Sequence, residues 1–103
     1  MNKELIRIQK ELDNIIVDLL TSARVTREIN NNTLNIFYKL LDDLVENVKG
    51  EEFIPRSIAG LLFFIYVSLE SNIQNNDYKD PLFLVVAKLE EYLDKILWDS
   101  PFK

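Results

Sequence analysis

Histidine and cysteine do not occur in this 103-residue chain. Without cysteine there is no disulfide, no thiolate nucleophile and no thiolate-bound metal. Without histidine the Ser–His and Cys–His nucleophilic systems have no base, and the inward Glu-x-x-His motifs of di-iron bundles cannot be built. Glycine occurs twice and proline three times, too few for a β-sandwich, which needs a turn signal every ~8–12 residues. Gly50 and Gly60 stand alone, so no phosphate-cradling glycine loop is present. Long apolar runs are missing as well. The longest, Leu61 to Val67, has seven residues, whereas a bilayer-spanning helix needs about 20.

Positive charge is also scarce, with 12 Lys and Arg against 17 Asp and Glu and a formal charge of −5. Nucleic acid binding draws most of its affinity from phosphate neutralisation, so an acidic chain without a basic run is poorly equipped for it. Electrostatic attachment to anionic lipid is disfavoured on the same ground. The first residues, Met1 to Arg7, carry both signs of charge and a helical period, so no secretion signal is expected. One domain in the cytoplasm is the expectation for a chain of this size and composition.

What is present is period. Leu5, Ile8, Leu12, Ile15 and Leu19 step by threes and fours, as do Leu34, Phe37, Leu41, Leu44 and Val48. Ile58, Leu62, Ile65 and Leu69 form a third such set, and Leu82, Val86, Leu89, Leu93 and Ile96 a fourth. This spacing places each set on one helical face. Helices are predicted over about 3–21, 33–49, 55–71 and 81–98. Thr21 to Asn32 reads as a loop ending in an Asn32 cap. Gly50 is a left-handed stop, Pro55 a first-turn residue, and Asp80-Pro81 a cap followed by a first-turn proline. Four helices of matched length, with connections of modest size, predict an all-α, antiparallel up-down four-helix bundle with a short C-terminal tail. Leu61, Phe63, Phe64, Tyr66 and Val67 make the third helix apolar around most of its circumference. It should be the most buried of the four, or keep one apolar face for a partner.

The groups left for chemistry are few. The carboxylate pairs Asp42-Asp43, Glu51-Glu52 and Glu90-Glu91 remain; adjacent helix positions diverge by about 100° around the axis, so a sequential pair does not aim both groups at one bond. They read as solvated surface charge. No catalytic, cofactor-binding or metal-ligating residue emerges, and enzyme activity is not expected. Phe37, Phe63, Phe64, Tyr66 and Tyr92 lie on or beside the apolar stripes and read as core. Trp98 and Phe102 lie at and beyond the last helical turn. They read either as a tail folded back over the end of the bundle or as aromatic anchors for a partner.

The segment Phe53-Ile54-Pro55-Arg56-Ser57-Ile58-Ala59-Gly60-Leu61-Leu62-Phe63-Phe64-Ile65-Tyr66 is similar to the entry into the third helix of bacteriocin immunity proteins of the enterocin A type. These proteins protect lactic acid bacteria and streptococci from pediocin-like (class IIa) peptides. The chain also resembles that family in its four helices, Asn-rich turn before the fourth helix and aromatic tail. The resemblance implies a non-enzymatic cytosolic protein, at most peripheral at the inner face of the membrane. Its partner would be a mannose phosphotransferase permease with bacteriocin bound, the pore being blocked from inside. It also implies specificity in the C-terminal half, with Tyr78, Lys79, Lys95, Trp98 and Phe102 as contact residues. The other class left open by the residues is a cytosolic helical adaptor or antitoxin-like module that binds a soluble protein.

Overall fold

The computed structural model describes residues 2–73 and 80–98. They form four helices, α1 (Lys3–Val25), α2 (Asn31–Val48), α3 (Arg56–Glu70) and α4 (Pro81–Leu97). The predicted up-down four-helix bundle is what the chain forms. Each stripe turns inward: Leu12, Leu19, Phe37, Leu41, Leu44, Ile58, Leu62, Ile65, Leu69, Leu82 and Leu89 are fully buried in one core. None of the described residues leaves a buried side-chain polar atom without a hydrogen-bond partner.

The helices alternate in direction, and their neighbours complete the arrangement. α1 packs against α2 and α3, and α4 packs against the same two helices. Near the start of α1, Arg7 meets Asp43 of α2 at 3.2 Å. At the same end the Ser57 hydroxyl, at the start of α3, donates to Gln9 at 2.9 Å. α1 and α3 are therefore parallel neighbours, and α2 and α3 lie on a diagonal joined by residues 49–55.

Helix ends show where local rules held and where packing overrode them. Gly50 has φ 78° and follows the end of α2; it adopts a conformation that only glycine enters without steric cost. Asp80 caps α4, its Oδ1 accepting the Leu82 N–H at 2.9 Å, with Pro81 in the first turn. Pro55 sits one place earlier than expected, as the cap of α3, its carbonyl accepting from the Ile58 and Ala59 N–H groups at 3.1 Å.

The largest difference is at the end of α1, which runs on to Val25 through residues predicted as loop. Ala23 is fully buried four positions after Leu19, so the core-facing stripe continues with a small side chain and a strong helix former. α1 stops at Thr26, whose N–H and hydroxyl both donate to the Ser22 carbonyl, at 3.0 and 2.8 Å. The left-handed position that follows is held by Arg27, φ 61°, not by glycine or asparagine. Asn30 rather than Asn32 then caps α2, its side chain accepting from the Asn32 N–H at 2.7 Å.

Arg27 explains its own conformation. Its guanidinium donates to the Asn72 carbonyl at 2.6 Å and to the Asp80 carboxylate, joining the ends of α1 and α3 to the start of α4. The Asp80 side chain is only 7% exposed, so removal of its cationic partner leaves a largely desolvated carboxylate. Arg27→Ala is expected to cost about 2 kcal/mol in urea denaturation. Arg27→Gly loses the same pair but relieves a left-handed backbone worth ~1 kcal/mol, so it should be measurably more stable than the alanine variant. Equal stability of the two would show that the φ of 61° carries no strain.

Candidate recognition surface

Apolar side chains are exposed on all four helices, Val17, Val25, Ile36 and Leu84 among them, and two places combine several. The first is the outer face of α3. Phe63 and Phe64, expected in the core, are 65% and 55% exposed, and Val67 is 44% exposed. They project opposite Ile58, Leu62, Ile65 and Leu69, which already fill the inward sector. Of the two expectations for this helix, the structure realises the one with an apolar face left outside. Ile6 of α1 is likewise exposed.

The second is the end of the bundle where the C-termini of α2 and α4 converge on the connection 49–55. An open groove of about 660 Å³ lies here, with Ile54, Ala59 and Ile96 among its apolar lining; its charged lining is two lysines, Lys49 and Lys95, and three glutamates, Glu46, Glu51 and Glu52. Trp98 borders the groove and is 63% exposed. Its backbone N–H donates to the Asp94 carbonyl at 3.2 Å and closes α4, which holds the indole at the end of a rigid element. Lys95, one turn earlier, lines the same groove, and its ammonium lies 5.9 Å from the centre of the Tyr92 ring, at the outer reach of a cation–π contact. Lys95 and Trp98 are thus brought together. Tyr78, Lys79 and Phe102 lie outside the described residues.

Behind the groove a polar framework fixes α4. The Tyr92 hydroxyl donates to Asp42 at 2.7 Å, and its ring stacks on Tyr38 of α2 with centroids 6.1 Å apart. Lys88 lies over the other aromatic partner, 4.4 Å from the Tyr38 centroid. On the far side of α4, the Tyr66 hydroxyl of α3 donates to Glu90 at 2.9 Å. Two of the carboxylates read as solvated surface charge, Asp42 and Glu90, therefore join helices, and Asp43 joins α2 to α1 through Arg7. Their register across helices is not visible in sequence; a tyrosine on the border of an apolar stripe is the one signal that points to such a partner. Among the described residues no cluster of three or more metal-ligating side chains occurs, and no helix is long and apolar enough to cross a membrane.

Both tyrosines are held protonated. Burial, then the bond to Asp42, pushes Tyr92 up to about 12. The bond to Glu90, then burial, does the same for Tyr66. A folded-state pKa above the ordinary value of 10.0 means that the neutral phenol favours the native state. That contribution is complete below pH ~10 and is lost as pH rises towards about 12. Stability measured by denaturant between pH 8 and 12 should fall across this window, and Tyr92→Phe should lower it by about 1 kcal/mol at pH 8. The difference between the two proteins should close towards pH 12. Ionisation of Tyr92 in the ordinary tyrosine range would contradict the assignment.

In comparisons with protein families, curated proteins and solved structures, nothing matches this chain.

Proposed function

We propose that this protein is a bacteriocin immunity protein that protects its cell without enzymatic chemistry. It acts against a pediocin-like peptide by engaging the mannose phosphotransferase permease, once that peptide is bound, from the cytosolic side. The protein is cytoplasmic and peripheral at the inner face of the membrane while engaged. The observation that carries the reading is the exposed Trp98 beside Lys95, set at the rim of a groove by the last turn of α4. Tryptophan is the residue most often found as an energetic anchor at protein interfaces. Here it stands in the C-terminal half, where the resemblance implies specificity. The whole-chain layout of four helices, with Pro55 opening the third, supports the same reading.

A second reading, a cytosolic adaptor or antitoxin-like module, is favoured by the outer face of α3, where Phe63 and Phe64 offer apolar surface remote from α4's end. It predicts a soluble protein partner rather than a permease.

Expression in a bacteriocin-sensitive strain separates them. The immunity reading expects the protein to raise the killing concentration of at least one pediocin-like peptide. Trp98→Ala should lower that protection severalfold while changing stability by no more than ~0.5 kcal/mol, as befits an exposed side chain. Unchanged killing across a panel of such peptides would refute the reading. Loss of protection accompanied by a large fall in melting temperature would assign Trp98 to stability instead.

A further inference from the structure

The outer face of α3 carries an exposed apolar stripe. At about 100° per residue, Gly60, Phe63, Phe64 and Val67 fall in the sector opposite the buried residues Ile58, Leu62, Ile65 and Leu69. Arg56 and Glu70, both exposed, flank the stripe at its two ends. The point midway between Phe63 and Phe64 is also midway between Gly60 and Val67, and lies within half a residue of midway between Arg56 and Glu70. We propose that this face is a two-fold, isologous dimerisation surface whose occupant is the α3 helix of a second copy, packed antiparallel.

A two-fold axis through that midpoint makes each contact occur twice. Phe63 and Phe64 cluster about the axis with the same two rings of the second copy, Val67 meets Gly60, and Arg56 meets Glu70. Valine opposes glycine and the cation opposes the carboxylate, with no change to the bundle. Gly60 is otherwise out of place. Glycine inside a helix is unfavourable, and a Cβ there would meet nothing within 4 Å, so neither the core nor a turn requires it. An antiparallel neighbour does, because the absent side chain lets a second backbone approach and receives Val67. A generic lipid surface would explain neither the glycine nor the oppositely charged ends, and the acidic balance of −5 works against anionic membrane.

Area sets the strength. Buried phenylalanines contribute on the order of 150–250 Å² each, so at the observed exposures Phe63, Phe64 and Val67 offer about 300 Å² per protomer. A standard stable interface takes about 800 Å² per partner. Even with the flanking polar rim the contact is smaller than a standard stable interface, so the dimer is weak and reversible. The inference is independent of the immunity reading, which rests on the end of α4.

Sedimentation equilibrium of the full chain from about 10 µM to 1 mM tests it, with circular dichroism confirming that each variant is folded. Wild type should pass from monomer to dimer with no larger species. Arg56→Glu and Glu70→Arg should each weaken association about tenfold, by opposing like charges, and the double reversal should restore it to within about threefold of wild type. Gly60→Leu should raise the melting temperature, since leucine is the better helix former, and yet weaken the dimer. A strictly monomeric wild type at 1 mM, open-ended oligomers, or a double reversal that stays monomeric would each overturn the proposal. So would a monomer that instead binds zwitterionic vesicles through this face.

Discussion

Each helix of a four-helix bundle has one side on which its neighbours can exclude water, a sector a little over 100° wide, and no element can bury more than that sector holds. α1 and α2 carry apolar residues at about half of their positions, α3 and α4 at about two-thirds. Ile58, Leu62, Ile65 and Leu69 take the inward sector completely, and the apolar residues that remain must face solvent whatever the rest of the fold does. Exposed Phe63 and Phe64 are thus a consequence of closure, since turning α3 to bury them would expose four fully buried side chains. Leaving them outside costs folding little, because they are equally exposed in the unfolded chain.

Apolar closure is non-directional and by itself would tolerate sliding or rotation of one helix on another. The polar contacts at the border of the core supply what it lacks. Tyr92 with Asp42 relates α4 to α2, Tyr66 with Glu90 relates α3 to α4, Arg7 with Asp43 relates α1 to α2, and Ser57 with Gln9 relates α3 to α1. Every pair of adjacent helices is pinned at least once at a defined height, α1 and α2 a second time by the Thr33 hydroxyl donating to Asp18. These bonds are part-exposed, so each contributes modestly to stability. Their value lies in direction, because a hydrogen bond is satisfied in one register and not in the next. Arg27 does the same across three chain segments at the far end, where a left-handed arginine replaces the glycine that local geometry alone would choose.

The period of apolar residues made the bundle legible in sequence, because a three-four spacing has one structural solution whatever surrounds it. Gly50 and Asp80-Pro81 were legible for the same reason: their backbone preferences are intrinsic. The end of α1 was not. Thr21 to Val25 have the composition of a loop, and what keeps them helical is the burial of Ala23 against other helices, information that lies far away in the chain. Phe63 and Phe64 were misplaced in the core for a related reason, since hydrophobicity states which residues prefer burial and not whether room remains. The Lys95–Trp98 pairing at one groove follows from their three-residue spacing on a helix. The groove itself does not, because its other wall comes from α2 and the connection 49–55.

The two apolar surfaces differ in what they can recognise. The α3 face is regular and long, and its small, large and charged residues are arranged about a midpoint; such a surface fits another helix of the same pattern and discriminates by shape and charge. The end of α4 is irregular, formed where three segments meet, and it combines one large indole with mixed charge over an apolar floor. A surface of that kind has no symmetry to match and suits a dissimilar partner. Because α3 and α4 are pinned to each other by Tyr66 and Glu90, engagement at one surface leaves the other in place. The fold in this way presents two separate apolar surfaces on a frame of four helices.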